Sequence, residues 1–289
     1  MEHVVKMDDT GCNRGDGEKG IPYKKLHIYY LKGHLKQNHK MFHKNFIGNW
    51  EEDDFSFLFF SRPSGCEVDN LLKTQPHLDL IDQFEMTYEE WHGGPISPFK
   101  AGNFFIVPPW EKAGQSKQGR RIILDPGVVF GTGTHPTTHD CLKALELIFS
   151  REKIESVLDL GTGTGLLAVA AASLGSKNTL AVDLNFLAAK TAADNVRLNR
   201  LQDRIVVVQG RADDFIGCSA DLVIANIHYD AMKTLITSEA FLNKKWFILS
   251  GLLRSQANDV ACNLSKHFAK IIKKWDSDNI WHTFLGKMC

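Results

Sequence analysis

Residues 157–165 have the sequence Val157-Leu158-Asp159-Leu160-Gly161-Thr162-Gly163-Thr164-Gly165, and an Ala-rich helical stretch begins at Leu166. An apolar strand thus leads through a glycine-rich turn into a helix. Glycine permits the sharp bend and lets a ligand approach where a Cβ would stand in the way. The pattern is D-x-G-x-G-x-G, because Leu166 stands where a dinucleotide-binding loop has its third glycine. We expect the Asp159 carboxylate to disfavour a pyrophosphate and to suit a cationic group, such as the ammonium of an amino acid.

Three further polar residues follow predicted strands downstream of this loop. Asp183 closes the second strand, where an acid accepts hydrogen bonds from both hydroxyls of a ribose. Asp213 follows the third strand and is placed to accept a hydrogen bond from an adenine amino group, and Asn226 ends the fourth. Ligands of parallel α/β sheets bind at the carboxyl ends of the strands, so these features are expected to meet there. The combination resembles that of class I methyltransferases, which use S-adenosylmethionine (SAM).

Strand and helix patterns alternate over the second half of the chain. The predicted strands cover residues 156–160, 179–183, 204–209, 221–225, 246–250, 269–275 and 280–285. A helix is predicted over residues 185–199, where Ala188, Ala192 and Val196 share one face. This order predicts an α/β fold with a doubly wound, mostly parallel, seven-stranded Rossmann-like sheet. The last two strands have no helix between them, which predicts an antiparallel edge.

The charge balance limits the classes of partner. The 289 residues contain 34 Lys and Arg and 34 Asp and Glu, for a formal net charge of zero. A protein that grips nucleic acid mainly by bulk charge is therefore excluded, and no direct nucleic-acid binding is expected. Residues 51–90 contain 11 Asp and Glu against Arg62 and Lys73. This stretch is either a face for a basic partner or an ordinary solvated surface.

The cysteines and the apolar runs bear on location. The six cysteines are scattered without a CxxC pair, which predicts neither a metal site nor a disulfide framework. No apolar run approaches the ~20 residues that span a bilayer, and the polar N-terminus lacks the apolar segment of a signal peptide. We therefore expect a cytoplasmic protein with no membrane partner.

Residues 124–138, just upstream of a predicted helix near Thr138, have the sequence Leu-Asp-Pro-Gly-Val-Val-Phe-Gly-Thr-Gly-Thr-His-Pro-Thr-Thr. Such a loop holds a ligand through backbone N–H groups and hydroxyls, or simply caps the helix. The run closely resembles the F-G-T-G-x-H-x-T-T signature of the PrmA family, bacterial enzymes that methylate ribosomal large-subunit protein eleven. The resemblance covers about residues 84–289 and includes Trp91, Pro98-Phe99, Gly102, Pro108–Trp110 and the run Leu249-Ser250-Gly251-Leu252-Leu253.

The resemblance implies a set of roles. It implies a class I SAM-binding domain preceded by a smaller α+β domain that recognises a protein substrate, with lysine or N-terminal amines of protein eleven as acceptors. The implied SAM contacts are Thr138, Gly161, Asp183 and Asn226, to which the residue pattern adds Asp159, Gly163, Gly165 and Asp213. The family's lead-in histidine corresponds to His135. His228 and Tyr229 stand where the family has leucine and small residues, and they are candidates for the acceptor pocket.

These observations divide the chain into four parts. Residues 1–22 are expected to be a disordered tail, and residues 23–100 the substrate-recognition domain. Residues 101–140 are expected to be a linker that carries the lead-in motif, and residues 141–289 the methyltransferase domain. We expect Asn226, Ile227 and His135 to be catalytic, the first two by orienting the incoming amine through their carbonyl oxygens.

Other functions remain open at this point. One alternative is SAM-dependent methylation of another protein lysine, a small molecule or RNA. Another is a nicotinamide-dependent oxidoreductase, against which Asp159 and the glycine spacing argue. A third is a SAM-binding module without catalysis.

Overall fold

A computed structural model describes residues 20–36, 44–111, 119–129 and 131–288. The predicted tail lies outside these ranges except for residues 20–22, and so does Phe130 of the lead-in motif. The chain divides into two compact units. The smaller contains the described residues up to Ser97 together with Asn185–Leu187, and the larger contains Pro98–Leu184 and the residues from Ala188 onward.

The smaller unit is a four-stranded antiparallel sheet with two helices. Its elements are β1 (Lys25–Lys32), β2 (Phe46–Glu52), β3 (Phe55–Phe60), α1 (Gly65–Thr74), β4 (Asp79–Thr87) and α2 (Tyr88–Trp91). The strand order is β2-β3-β1-β4. Tyr29, Leu58 and Phe60 from one face of the sheet form a buried cluster with Val68 and Leu71 of α1. The predicted smaller α+β part is confirmed. The aromatic run at residues 55–60 forms β3, in keeping with the enrichment of aromatic residues in strands.

The larger unit begins with a small sheet and a long helix. Strands β5 (Phe99–Ala101), β6 (Phe104–Val107) and β7 (Arg120–Ile123) form a three-stranded sheet in that order. Helix α3 (Pro136–Arg151) follows and begins two residues earlier than the predicted start at Thr138. Strands β6 and β7 lie within the segment predicted as a linker, and β6 coincides with its apolar run Phe104–Val107.

The remaining elements build the main sheet. They are β8 (Ser156–Leu160), α4 (Leu166–Leu174), β9 (Asn178–Asp183), α5 (Phe186–Leu198), β10 (Ile205–Gln209), α6 (Ala212–Phe215), β11 (Leu222–Asn226), α7 (Tyr229–Ile236), α8 (Glu239–Leu242), β12 (Trp246–Leu253), α9 (Arg254–Lys266), β13 (Ala269–Ser277) and β14 (Trp281–Met288). The seven strands lie in the order β10-β9-β8-β11-β12-β14-β13. Strands β8 to β12 are parallel, and β14 pairs antiparallel with both β12 and β13.

This arrangement confirms the predicted doubly wound, Rossmann-like sheet and its antiparallel edge. Buried side chains cover both faces of the sheet, with α3, α4 and α5 on one face and α7, α8 and α9 on the other. Strands β9 and β10 lie on one side of β8, and β11 lies on its other side. The strand order therefore reverses between β8 and β11, and a crevice opens at the carboxyl ends of these two strands. Within the described ranges, no helix combines the length and apolar character needed to cross a membrane.

Candidate active site

The glycine loop between β8 and α4 is shaped by three left-handed backbone positions. Gly161, Gly163 and Gly165 have φ angles of 69°, 57° and 80°. A Cβ on Gly161 would lie 2.2 Å from Cγ2 of Ile227, and one on Gly165 would lie 3.0 Å from Cβ of Ala192. The loop is therefore pressed against the residue after β11 on one side and against α5 on the other. Gly161 is nevertheless exposed, so the open side of the loop faces solvent.

Asp183 at the end of β9 is tied to the middle of this loop. Its Oδ2 accepts a hydrogen bond from the N–H of Gly163 at 2.9 Å, while the residue remains half-buried. The structure thus brings together two predicted cofactor residues. A carboxylate has about four lone-pair sites, so one carboxylate can accept from a loop N–H and from hydroxyl donors together.

Asp159 is placed differently from the sequence expectation. Its side chain is buried, with only 1% of the residue exposed, and Oδ2 accepts a hydrogen bond from Thr162 Oγ1 at 2.6 Å. The backbone N–H of Ala168 also donates to this carboxyl group. Asp159 therefore braces the glycine loop from inside, and in this structure it is not open to the ammonium of a ligand. The physical reason is that the loop's own hydroxyl and the first turn of α4 supply its partners.

The burial of Asp159 makes the stability of the fold depend on pH. Burial raises the pKa of Asp159 from 3.8 to about 7, although the hydrogen bonds from Thr162 and Ala168 act in the opposite direction. Protonation of Asp159 therefore favours the folded state. This contribution to the free energy of unfolding is fully present below about pH 4 and is lost as the pH rises towards about 7. We expect the free energy of unfolding, relative to Asp159→Asn, to fall by roughly 2–4 kcal/mol between about pH 4 and about pH 8. Urea denaturation of both proteins over this range measures the difference, and a pH-independent difference would contradict the raised pKa.

Asp213 lies at the start of α6, after the third parallel strand. It is exposed, and its Oδ2 is 3.2 Å from Nη2 of Arg211. The carboxylate is thus at the expected edge of the sheet and close to a guanidinium. Its predicted contact with an adenine amino group remains a prediction.

The lead-in motif joins the site through the first turn of α3. His135 caps this helix, and its Nδ1 accepts a hydrogen bond from the N–H of Thr137 at 3.3 Å. Nδ1 also lies 2.7 Å from Thr137 Oγ1. Because Nδ1 accepts from the backbone, the hydroxyl of Thr137 donates to it as well, and a neutral ring carries its proton on Nε2. Partial burial lowers the pKa of His135, which favours this neutral form.

Asn226 at the end of β11 completes this polar chain. Its Nδ2 donates to Thr137 Oγ1 at 3.4 Å, so the side chains of His135, Thr137 and Asn226 form one connected group. The direction of these bonds leaves Oδ1 of Asn226 as a hydrogen-bond acceptor. Ser250 at the matching position of β12 donates to the carbonyl of Thr137 at 3.4 Å and lies against Thr283. Three strands (β11, β12 and β14) and one helix therefore position a single amide.

Thr137 was missed by the sequence reasoning, which selected its neighbour Thr138. Both residues are buried, with 3% of Thr137 and 6% of Thr138 exposed. The hydroxyl of Thr137 bridges His135 and Asn226, whereas the backbone N–H of Thr138 donates to the carbonyl of His135. The paired threonines were visible in the sequence, but helix geometry decides which of them faces β11.

Ile227 is held between two glycines. Its side chain packs against Gly161, and its carbonyl oxygen would lie 3.0 Å from a Cβ on Gly251. Gly251 has a φ angle of 83°, and the same Cβ would lie 3.2 Å from Oδ1 of Asn226. Because residue 251 is glycine, no side chain at this position covers the carbonyl oxygen of Ile227 or Oδ1 of Asn226.

His228 and Tyr229 stand apart from the polar chain. The hydroxyl of Tyr229 donates to Oδ2 of Asp259 on α9 at 2.6 Å, and this bond raises the pKa of the phenol. The side chain of His228 is 80% exposed, and its Nδ1 is 3.4 Å from Oδ2 of Asp230. Tyr229 thus anchors α7 to α9, and His228 faces solvent beside the site. Their predicted role in an acceptor pocket remains a prediction.

The family of ribosomal protein L11 methyltransferases (PrmA) matches residues 68–288. The chain belongs to this family. A relative of that name from Desulfitobacterium hafniense is 38% identical over 260 residues, which cover 81% of this chain and 82% of that protein. A second from Halalkalibacterium halodurans is 38% identical over 186 residues, 62% of this chain and 59% of that protein.

A solved structure supports the same fold for this PrmA-family chain. The crystal structure of ribosomal protein L11 methylase from Lactobacillus delbrueckii subsp. bulgaricus superposes with a TM-score of 0.58 at 26% identity. The superposition covers 66% of this chain and 99% of that one.

An asparagine clamp fixes the lead-in segment of this PrmA-family chain. The fully buried Asn195 of α5 donates from Nδ2 to the carbonyls of Asp125 and Thr164, at 2.8 and 2.9 Å. Its Oδ1 accepts from the N–H of Asp125 at 2.8 Å. One turn later, Asn199 makes the corresponding pair of bonds with Ile123. Each amide therefore pairs with both the N–H and the carbonyl of one backbone residue, as a neighbouring strand would. The helical periodicity of the sequence did not indicate that these asparagines bind the segment before the lead-in motif.

Removing the clamp should destabilise the larger unit. We expect Asn195→Ala to lower the free energy of unfolding by about 2–4 kcal/mol, because buried backbone groups at Asp125 and Thr164 lose their partners. Urea denaturation measures the change, with the exposed Lys190→Ala on the same helix as control. Equal stability of the two variants would show that the clamp contributes little.

Proposed function

We propose that this chain is a SAM-dependent N-methyltransferase that acts on lysine or N-terminal amines of ribosomal protein L11. The observation that carries the proposal is the connected group His135–Thr137–Asn226 beside the glycine loop, in a member of this family. The group presents oriented polar atoms at the crevice where ligands of such sheets bind.

The residues around the crevice fit SAM. Asp183 offers acceptor oxygens for ribose hydroxyls, and its bond to Gly163 already holds the loop in its ligand-facing shape. Asp213 is exposed for the adenine amino group, and the open side of Gly161 leaves room for close approach. SAM supplies the electrophilic methyl carbon, so the protein's task is to hold and align the reactants.

His135 suits an orienting role better than that of a base. Its Nδ1 already accepts from Thr137, and the proton on Nε2 makes that nitrogen a donor. A donor at this position suits the carboxylate of the methionine part of SAM. A role for His135 as a general base is thereby disfavoured.

Asn226 and Ile227 orient the acceptor amine in this proposal. A lysine with a pKa of about 10.4 is neutral in only ~1 of 1,000 molecules near neutral pH, which corresponds to ~4 kcal/mol. Carbonyl oxygens that accept the amine's N–H groups direct its lone pair towards the methyl carbon once a proton has passed to water. Because Nδ2 of Asn226 is bonded to Thr137, its Oδ1 is available for this purpose.

The family supports L11 as the acceptor, since the curated relatives carry the name ribosomal protein L11 methyltransferase. We assign residues 23–100 to substrate recognition and residues 141–289 to methyl transfer, with the lead-in motif between them. The acidic stretch at residues 51–90 suits a basic protein acceptor.

The test is methyl transfer to a defined acceptor. Purified chain is incubated with isotopically labelled SAM and purified L11, and mass spectrometry locates the label. We expect label on lysine side chains or the N-terminal amine of L11. Label confined to RNA or a small molecule in a parallel incubation with cell lysate would overturn the protein acceptor. Titration with SAM and with NAD, followed by calorimetry, tests the cofactor, and binding of NAD alone would favour an oxidoreductase.

A further inference from the structure

The outer edge of the main sheet carries a cluster of lysines far from the crevice. We name Lys270, Lys273, Lys274 and Lys287 the basic edge. Three of them are exposed on β13, the edge strand, and Lys287 lies on its neighbour β14. Lys287 pairs with Trp246, the first residue of β12, so Lys287 and its partner Lys270 lie at the amino ends of the parallel strands. Lys274 pairs with Phe284, which pairs with Leu249, so the basic edge runs along β13 towards the other end of the sheet and is separated from β11 by β12 and β14.

The charges of the basic edge are left uncompensated. In the described part of the chain, the ion pairs include none of these four lysines. Three ammonium groups lie instead over aromatic rings, Lys273 over Trp275 at 5.2 Å, Lys274 over Phe284 at 5.3 Å and Lys287 over Trp246 at 5.8 Å. These contacts hold the side chains in place without neutralising them.

Two of the lysines lie directly opposite each other on neighbouring strands. Lys270 of β13 and Lys287 of β14 are direct partners in the antiparallel register. Like charges directly opposite each other destabilise a strand pair. An anion bound at this edge would relieve that repulsion.

An aromatic ring projects beside the basic edge. Phe268, between α9 and β13, is 81% exposed, and its φ angle of 58° lies in the left-handed region that bulky residues disfavour. An open groove of about 580 Å³ is lined by Phe268, Lys270 and Lys274. The ring is therefore exposed in a groove that two lysines of the basic edge also line.

We propose that the basic edge binds the backbone of single-stranded RNA and that Phe268 stacks on a base. Single-strand binding sites combine cationic side chains along the backbone with aromatic rings that accept any base. The net charge of zero argued against binding by bulk charge, but here the charge is local. A membrane surface fits less well, because the lysines emerge on both sides of an edge strand and not opposite one apolar face.

The experiment measures anisotropy of a labelled oligouridine RNA of about 16 nucleotides while the intact protein is titrated. We expect a Kd of about 1–100 μM near 50 mM salt. With four phosphate contacts, the slope of log K against log salt should be about −3. In Lys270→Gln/Lys274→Gln the affinity should fall roughly tenfold and the slope should weaken to about −1.4.

Matched variants separate the proposal from general charge effects. Lys100→Gln/Lys190→Gln removes the same charge from exposed sites elsewhere and should bind RNA as the wild type does. Phe268→Asn suits the left-handed backbone, so it should fold normally yet bind severalfold more weakly with an unchanged slope. Circular dichroism checks the fold of each variant. Equal losses in both lysine pairs, absence of RNA binding, or binding only to phosphatidylglycerol vesicles would each overturn the proposal.

Discussion

Replacing Asn226 with alanine is expected to reduce methyl transfer by much more than tenfold at saturating SAM. The substitution removes Oδ1, which we propose accepts an N–H of the attacking amine, and it also removes the bond from Nδ2 to Thr137. An amine that is no longer aligned with the methyl carbon loses the rate advantage of a fixed geometry. Initial rates with L11 at several SAM concentrations measure the effect on kcat separately from SAM binding.

Two further variants locate the origin of this loss. Asn243→Ala changes an exposed asparagine after α8 and should leave the rate unchanged. Thr137→Val removes the hydroxyl that bridges His135 and Asn226, and it should reduce the rate less than Asn226→Ala does because Oδ1 remains. Near-wild-type turnover of Asn226→Ala at saturating SAM would rule out this role for Asn226.

Replacing Gly161 with alanine should abolish measurable SAM binding or weaken it by more than tenfold. The added methyl group would lie 2.2 Å from Cγ2 of Ile227, far inside van der Waals contact, so the loop and the end of β11 must separate. The φ angle of 69° adds about 1–2 kcal/mol of backbone strain. Isothermal titration calorimetry measures binding, and thermal unfolding measures the accompanying destabilisation.

Two other glycines provide matched controls for this prediction. Gly175→Ala combines a positive φ angle of 127° with open space around the new Cβ, so it tests strain without a clash. Gly217→Ala has neither strain nor a neighbour within 4 Å and should behave as the wild type. If Gly161→Ala bound SAM as well as Gly217→Ala does, the close approach of the loop to Ile227 would not matter for the site.

Much of the larger unit was predictable because its signals are local. The alternation of apolar strands and helices located β8 to β14 within a few residues, since burial on both faces of a parallel sheet demands continuous apolar runs. The glycines at 161, 163 and 165 predicted a sharp turn, and the structure shows that all three adopt positive φ angles, which few other residues do.

Contacts between distant residues were beyond sequence reasoning. Nothing local indicates that Asp159 is covered by its own loop, or that β14 inserts between β12 and β13. The asparagine clamp of α5 on Asp125 and Thr164 likewise depends on how the helix packs.

The sequence by itself therefore determined the kind of fold and the family, because periodicity and a contiguous motif are properties of neighbouring residues. The tertiary structure alone decided which polar atoms cooperate. It joined Thr137 to Asn226 across 89 positions, turned Asp159 inward, and gathered four lysines of a neutral chain on one edge. Hydrogen bonds and electrostatic fields depend on distance in space, and only the packing of the sheet and its helices sets that distance.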